Sequence, residues 1–212
     1  YLKIAAHLGC EISSRKTELA ADEDDKKTVI EKFGIAINSG RPLVILVPGG
    51  AFGPSKQWPE KNFAKTADFL AEKFSANVFV SVSPAQEEIA IADRICSLAK
   101  SKIKNLGKNP LSLGQLKALF SFATLVITND TGPRHIAIAF NRKLITLFGP
   151  NNPAWTANDY PDEIKLVGKA PCAPCDKPIC RQNKHYCMDS ITPEMVCQAA
   201  EKILRTAINT EL

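Results

Sequence analysis

Four short apolar runs, rich in β-branched residues, recur along the chain: LVILVP at 43–48, NVFVSV at 77–82, TLVIT at 124–128 and KLITLFG at 143–149. An unbroken apolar run has no polar side to show to water, so each reads as a strand covered on both faces. Segments of helical periodicity lie between them. At 59–74, Phe63, Ala67, Leu70, Ala71 and Phe74 share one helical face, and Pro59 suits a first helical position. At 86–100, Ile89, Ala92, Ile95, Cys96 and Ala99 do the same, and a shorter helix is expected at 112–122. Strands that alternate with helices require right-handed crossovers and a parallel sheet with helices on both faces. The expected fold class is therefore α/β, a Rossmann-like doubly wound parallel sheet.

The flanks read differently. Residues 1–41 contain a helical piece at Tyr1–Gly9, an acidic turn at Asp22–Asp25 and a helix at about 26–38, and are taken as an interdomain linker with a capping helix. A last helix is expected at 192–208, which leaves 42–212 as the main domain. With 45% hydrophobic and 23% charged residues in 212, the chain can bury a full core. The longest apolar runs fall far short of the roughly 20 residues of a membrane-spanning helix. No charged leader with an apolar stretch precedes the first helical segment.

The net charge of +5 is concentrated in residues 42–150, where 13 Lys and Arg face seven Asp and Glu. Lys100, Lys102, Lys104 and Lys108 lack interleaved aromatics and read as a solvated face rather than a nucleic-acid surface. Cys10, Cys96 and Cys197 are scattered, whereas Cys172, Cys175, Cys180 and Cys187 fall close together. An odd count of seven argues against a disulfide framework. The cluster spells C-x2-C-x4-C-x6-C with a single tight pair, so a thiol-rich loop is the first reading and structural zinc the second.

In an open parallel sheet, ligands bind beyond the carboxyl ends of the strands. Two loops there stand out. Gly49-Gly50-Ala51-Phe52-Gly53-Pro54-Ser55-Lys56 runs from a buried strand into a helix start, where free N–H groups and the helix dipole attract anions. It matches neither the P-loop nor GxGxxG. Taken alone, it fits a phosphate cradle and an ordinary glycine turn equally well. The second loop, Thr128-Asn129-Asp130-Thr131-Gly132-Pro133-Arg134-His135, gathers acid, hydroxyl, glycine and two basic groups at another helix start. Asp130 or Thr131 can serve as its cap and His135 as a core hydrogen-bonder. With Lys56 from the neighbouring unit, Arg134 and two helix starts would suit a diphosphate.

PGGAFGPSKQWPEKNFAKTADFL, LSLGQLKALFSFATLVITNDTGPRHIAIAFNRKLITLFGPNNPAWT, and CAPC followed by CMDSITPEMV resemble, in that order, the glycosyltransferase family 9 heptosyltransferases. The PGxxFGPxKxWP form is most similar to the heptosyltransferase II branch. The resemblance implies the C-terminal, donor-binding domain of a two-domain GT-B enzyme. Its N-terminal acceptor domain is absent from this chain, and Tyr1–Gly9 resembles that domain's end. It further implies inverting transfer of heptose from ADP-L-glycero-D-manno-heptose to the lipopolysaccharide inner core. No cofactor is required in that reading, and the catalytic base lies in the missing half, so this chain alone would bind without turning over.

Carried over by position, Lys56 would stabilise the diphosphate leaving group. Gly53, Ser55, Asp130, Thr131, Gly132, Arg134 and His135 would line the donor site, with Arg134 at a variant position. Among Gln86, Glu87 and Glu88, Glu87 is the choice for the ribose, although a helix N-terminal charge explains it equally. The implied partners are the nucleotide-sugar donor and the lipopolysaccharide acceptor, with no nucleic acid and with peripheral membrane association. The implied setting is a Gram-negative cytoplasm at the inner face of the inner membrane. The alternative from a different class is a stand-alone nucleotide-binding or regulatory module without catalysis.

Overall fold

The computed structural model describes residues 2–36 and 39–210, with side chains described through 206. In chain order the elements are α1 (Leu2–His7), α2 (Glu23–Phe33), β1 (Leu43–Val47), α3 (Glu60–Phe74), β2 (Asn77–Val80), α4 (Gln86–Leu98) and β3 (Lys104–Asn105). There follow α5 (Leu113–Ser121), β4 (Leu125–Asn129), α6 (Gly132–Ala139), β5 (Lys143–Phe148), β6 (Glu163–Val167), α7 (Tyr186–Asp189) and α8 (Pro193–Thr210). All strand pairs are parallel, in the order β3-β2-β1-β4-β5-β6. The expected doubly wound sheet is present.

Side-chain alternation divides the core in two. Val44 and Leu46 of β1, Val78 and Val80 of β2, and Leu125 and Ile127 of β4 face α3, α4 and α8. Leu43, Ile45 and Val47, with Phe79 and Val126, face the other cover, made by α2, α5 and α6. Every residue of β1 and β4 is buried, which is why those strands show no polar alternation in the sequence.

Two strands were not anticipated. β3 is two residues long, and β6, EIKLV, is only partly covered at an edge, so its composition carries little of the apolar signal. The stretch read as linker and capping helix also divides. The acidic turn at Asp22–Asp25 is the start of α2: Asp22 caps it by accepting from the Asp24 N–H, and Glu23, Asp24 and Asp25 occupy the first turn. The helix stops at Gly34, which adopts a left-handed conformation, and residues 37 and 38 of the expected 26–38 helix lie outside the described residues. Val29 and Phe33 are buried against the sheet. That makes α2 part of the same folded unit as the sheet. In contrast, α1 buries no residue.

Candidate functional site

The strand order reverses between β1 and β4, which opens a crevice at their carboxyl ends. The two conspicuous loops meet there. A Cβ on Gly50 would lie 2.6 Å from Thr131 Cγ2, so only glycine lets the β1 loop approach α6 this closely. At the end of β4, Asn129 donates through Nδ2 to the Pro48 carbonyl at 2.7 Å and ties the strand ends together. Its buried Oδ1 has no partner among the described residues.

Lys56 ends a short 3₁₀ turn, Pro54–Lys56, and extends across this crevice. Its Nζ donates to the Asp130 carbonyl at 2.7 Å and to Asp130 Oδ2 at 3.1 Å. It also lies 4.7 Å from the centre of the Phe52 ring. Lys56 is 8% exposed and Asp130 7%, so the pair is largely withdrawn from solvent. The other carboxylate oxygen of Asp130, Oδ1, accepts from Thr156 Oγ1 at 3.2 Å. Asp130 is thus committed to positioning its neighbours. Thr131 precedes α6 as its N-cap without a side-chain capping bond, and a Cβ at Gly132 would meet nothing. The helix start is therefore open on that side.

Arg134 does not join this surface. It is fully buried, and donates through Nε and Nη2 to the Glu163 carboxylate of β6 at 2.6 and 2.9 Å and through Nη1 to the Thr156 carbonyl at 3.0 Å. The expected direct diphosphate role of Arg134 is corrected accordingly: its donors point into the protein. His135 is exposed on α6. Partial desolvation and the adjacent Arg134 charge lower its pKa below the ordinary imidazole value, which keeps it neutral at pH 7.

Gly53 and Ser55 also meet a different neighbour. Gly53 has φ +145°, and a Cβ there would run into Pro178. The Ser55 N–H donates to the Pro178 carbonyl at 3.1 Å and its hydroxyl to the Lys177 carbonyl at 2.6 Å. Both residues anchor the cysteine-rich loop against the β1 loop. Of Gln86, Glu87 and Glu88, Glu87 is exposed with no side-chain partner among the described residues. Glu88 instead accepts from the Gly50 N–H at 3.1 Å and the Ser83 N–H at 2.8 Å, joining the loops after β1 and β2.

Cys187 is buried, Cys175 and Cys180 are half-buried and Cys172 is exposed, all as free thiols. Burial pushes the Cys187 thiol above its usual value. Among the described residues, no group of three or more His, Cys, Asp or Glu is placed to hold a metal ion, so the zinc alternative finds no geometric support here.

Asn129 and Thr156 fall within the quoted motif segments but are not singled out there, and Glu163 lies outside them. What could have pointed to Glu163 is a carboxylate opening the short run EIKLV, downstream of an arginine on a core-facing helix. A cavity of about 330 Å³ opens beside the crevice, lined by Pro48, Trp58, Glu60, Ile91 and His185 among others. A larger one of about 730 Å³ borders Leu43 and Asn77 at the amino ends of β1 and β2. In a parallel sheet the chemistry belongs to the carboxyl edge. The smaller cavity reaches that edge through Pro48, but Lys56, Asp130, Thr131, Gly132 and His135 do not line it.

A doubly wound sheet with a pinned ammonium and an open helix start at its switch point defines a Rossmann-like domain suited to a phosphate-bearing ligand. Residues 1–186 match the model of glycosyltransferase family 9 (heptosyltransferase), and the chain belongs to that family. It is 29% identical over 174 residues to lipooligosaccharide heptosyltransferase 2 of Campylobacter jejuni (serotype O:2), covering 82% of this chain and 54% of that protein. It is 30% identical over 198 residues to the Haemophilus influenzae lipooligosaccharide heptosyltransferase 2, covering 89% and 56%. The structure of the Escherichia coli ADP-heptose lps heptosyltransferase II superposes with a TM-score of 0.72 at 24% identity, over 90% of this chain and 54% of that one. The chain spans about half the length of the curated relatives it matches.

Proposed function

We propose that this chain is the donor-binding half of a heptosyltransferase that moves heptose from ADP-L-glycero-D-manno-heptose to the inner core of lipopolysaccharide. The observation that carries this reading is the Lys56 ammonium, held by Asp130 across the crevice where the β1 loop meets the start of α6. An acceptor hydroxyl, deprotonated by a base in the other half of the enzyme, attacks the anomeric carbon, and ADP leaves. Negative charge then grows on the diphosphate. Lys56 and the open start of α6 at Gly132 stabilise that charge more in the transition state than in the ground state.

The exposed Glu87 carboxylate, on the first turn of α4 beyond β2, is available to a ribose hydroxyl. His135 borders the site from α6. On this reading the enzyme works in a Gram-negative cytoplasm, peripherally associated with the inner face of the inner membrane. Among the described residues, no helix is long and apolar enough to cross a membrane.

Calorimetric titration with ADP, against UDP and GDP, tests the reading. Selective ADP binding is expected, and Lys56→Ala should weaken it about tenfold or more, the scale of one lost charge-assisted hydrogen bond. Equal binding of all three nucleotides, or none, would sink it. A stand-alone nucleotide-binding module would pass the same test, so heptose transfer by the full-length protein, with its loss in Lys56→Ala, separates the two.

A further inference from the structure

Behind Lys56 lies a chain of buried charges that reaches the far edge of the sheet. Glu163 on β6 is fully buried as a side chain and accepts from Arg134 through both oxygens, from Thr146 Oγ1 at 2.5 Å, and pairs with Lys165 at 3.6 Å. So fixed, Arg134 donates to the Thr156 carbonyl and lies 3.7 Å from Asp130 Oδ1, the oxygen that also accepts from the Thr156 hydroxyl. The opposite oxygen of Asp130 and its carbonyl hold Lys56. The hydrogen-bonded links, Glu163 to Arg134, Arg134 to the Thr156 carbonyl, Thr156 to Asp130 and Asp130 to Lys56, span 2.6 to 3.2 Å, whereas Arg134 reaches Asp130 only through space at 3.7 Å.

We infer that Arg134 and Glu163 are positioning residues: they fix Thr156 and the Asp130 carboxylate, and through Asp130 they set where the Lys56 ammonium stands in the crevice. Of the three Lys56 N–H bonds, two are directed at Asp130. The third is left for an anion. Where Asp130 turns, the free N–H turns with it. Arg134 also places a cation behind Asp130, which offsets the repulsion that a bare carboxylate would present to an approaching phosphate.

An alternative role for such a pair is to hold β6 to α6, and replacement by apolar residues separates the two roles. A buried ion pair exchanged for well-packed hydrophobic side chains of similar volume commonly keeps the fold. In Arg134→Met, Thr146→Val, Glu163→Leu combined, the packing is retained while Thr156 and Asp130 lose their anchor. The first readout needs no ligand: competitive acylation of lysines, with Lys56 followed by peptide mass spectrometry. Slow labelling is expected in the wild type. In the folded triple variant the Lys56 rate should rise about tenfold, the factor that a loss of about 1.4 kcal/mol of hold implies.

Glu163→Gln, a milder change, frees Arg134 to draw Asp130 away from Lys56 and should raise the rate in the same direction. The second readout, ADP affinity, rests on the donor-binding reading above and should fall about tenfold in both variants. Absence of ADP binding in the wild type would sink that reading while the labelling still decides this one. Folded variants with Lys56 as protected as in the wild type would overturn the inference. Failure of both variants to fold would also overturn it, because the pair would then serve the fold.

Discussion

Lys56 shows how little of a site need be visible as free charge. Its ammonium is nearly buried and pinned by a carboxylate, yet the pin is what gives its remaining N–H a direction. His135 is the titrating counterpart. Desolvation first, and then the Arg134 charge, lower its pKa, so at pH 7 it is a neutral imidazole beside the open start of α6. Lowering the pH protonates it and adds positive charge where the diphosphate is proposed to sit. ADP-ribose is a suitable probe, since its diphosphate does not titrate near neutrality. Its affinity should rise by up to about fivefold as the pH falls from neutrality to below the ordinary imidazole value, on the order of 1 kcal/mol for a unit charge a few ångströms away. His135→Ala should abolish the slope. A flat profile in the wild type would remove His135 from the phosphate site.

At the scale of elements, the site exists because two loops touch, and Gly50 is what allows it. The methyl introduced by Gly50→Ala would lie far inside ordinary contact distance of Thr131, and both atoms belong to short, held loops. The loops must separate by a sizeable fraction of an ångström. The expected outcome is an affinity loss for ADP of about tenfold with a stability change within about 1 kcal/mol, because the clash is at the crevice and not in the core. Calorimetry and thermal melting on one preparation check both halves, and unchanged affinity would show that the approach of the loops is immaterial. The same contact explains what could be read in advance. β1, β2, β4 and β5 were legible because burial on both faces leaves an unbroken apolar run, and the crevice followed from their alternation with helices. The edge strand β6 was not, since partial cover permits Glu163 and Lys165 in it. Nor could motif proximity tell that Arg134, one residue from His135, faces inward, or that Gly53 and Ser55 are used to hold the loop at Lys177 and Pro178. Those outcomes depend on which distant residue arrives opposite, and local pattern carries no record of it.

Over the whole molecule, the sheet is roofed on one side by α3, α4 and α8 and on the other by α2, α5 and α6. The buried charges cross it near one edge, so the acid stability of the fold and the geometry of the crevice share a group, Glu163. Burial alone would raise its pKa, but hydrogen bonds from Arg134 and Thr146 outweigh that and hold it below the ordinary carboxylate value. The sign follows by linkage: a carboxylate whose folded pKa is depressed contributes stability that is fully present above its unfolded pKa and is lost as pH falls through the folded one. Chemical denaturation at stepped pH should therefore show stability dropping below the ordinary carboxylate range as Glu163 takes up its proton. Glu163→Gln should cost on the order of 3–5 kcal/mol at neutral pH, the scale of breaking a buried pair by removing one charge. Its own acid limb should be shallower, so that the two curves converge as pH falls. Curves that stay parallel into acid would assign the titration to other carboxylates and leave the Arg134–Glu163 pair without a part in acid stability. Convergence would assign the acid limb to Glu163, whose protonation weakens its hold on Arg134 and so reaches the group that flanks Asp130.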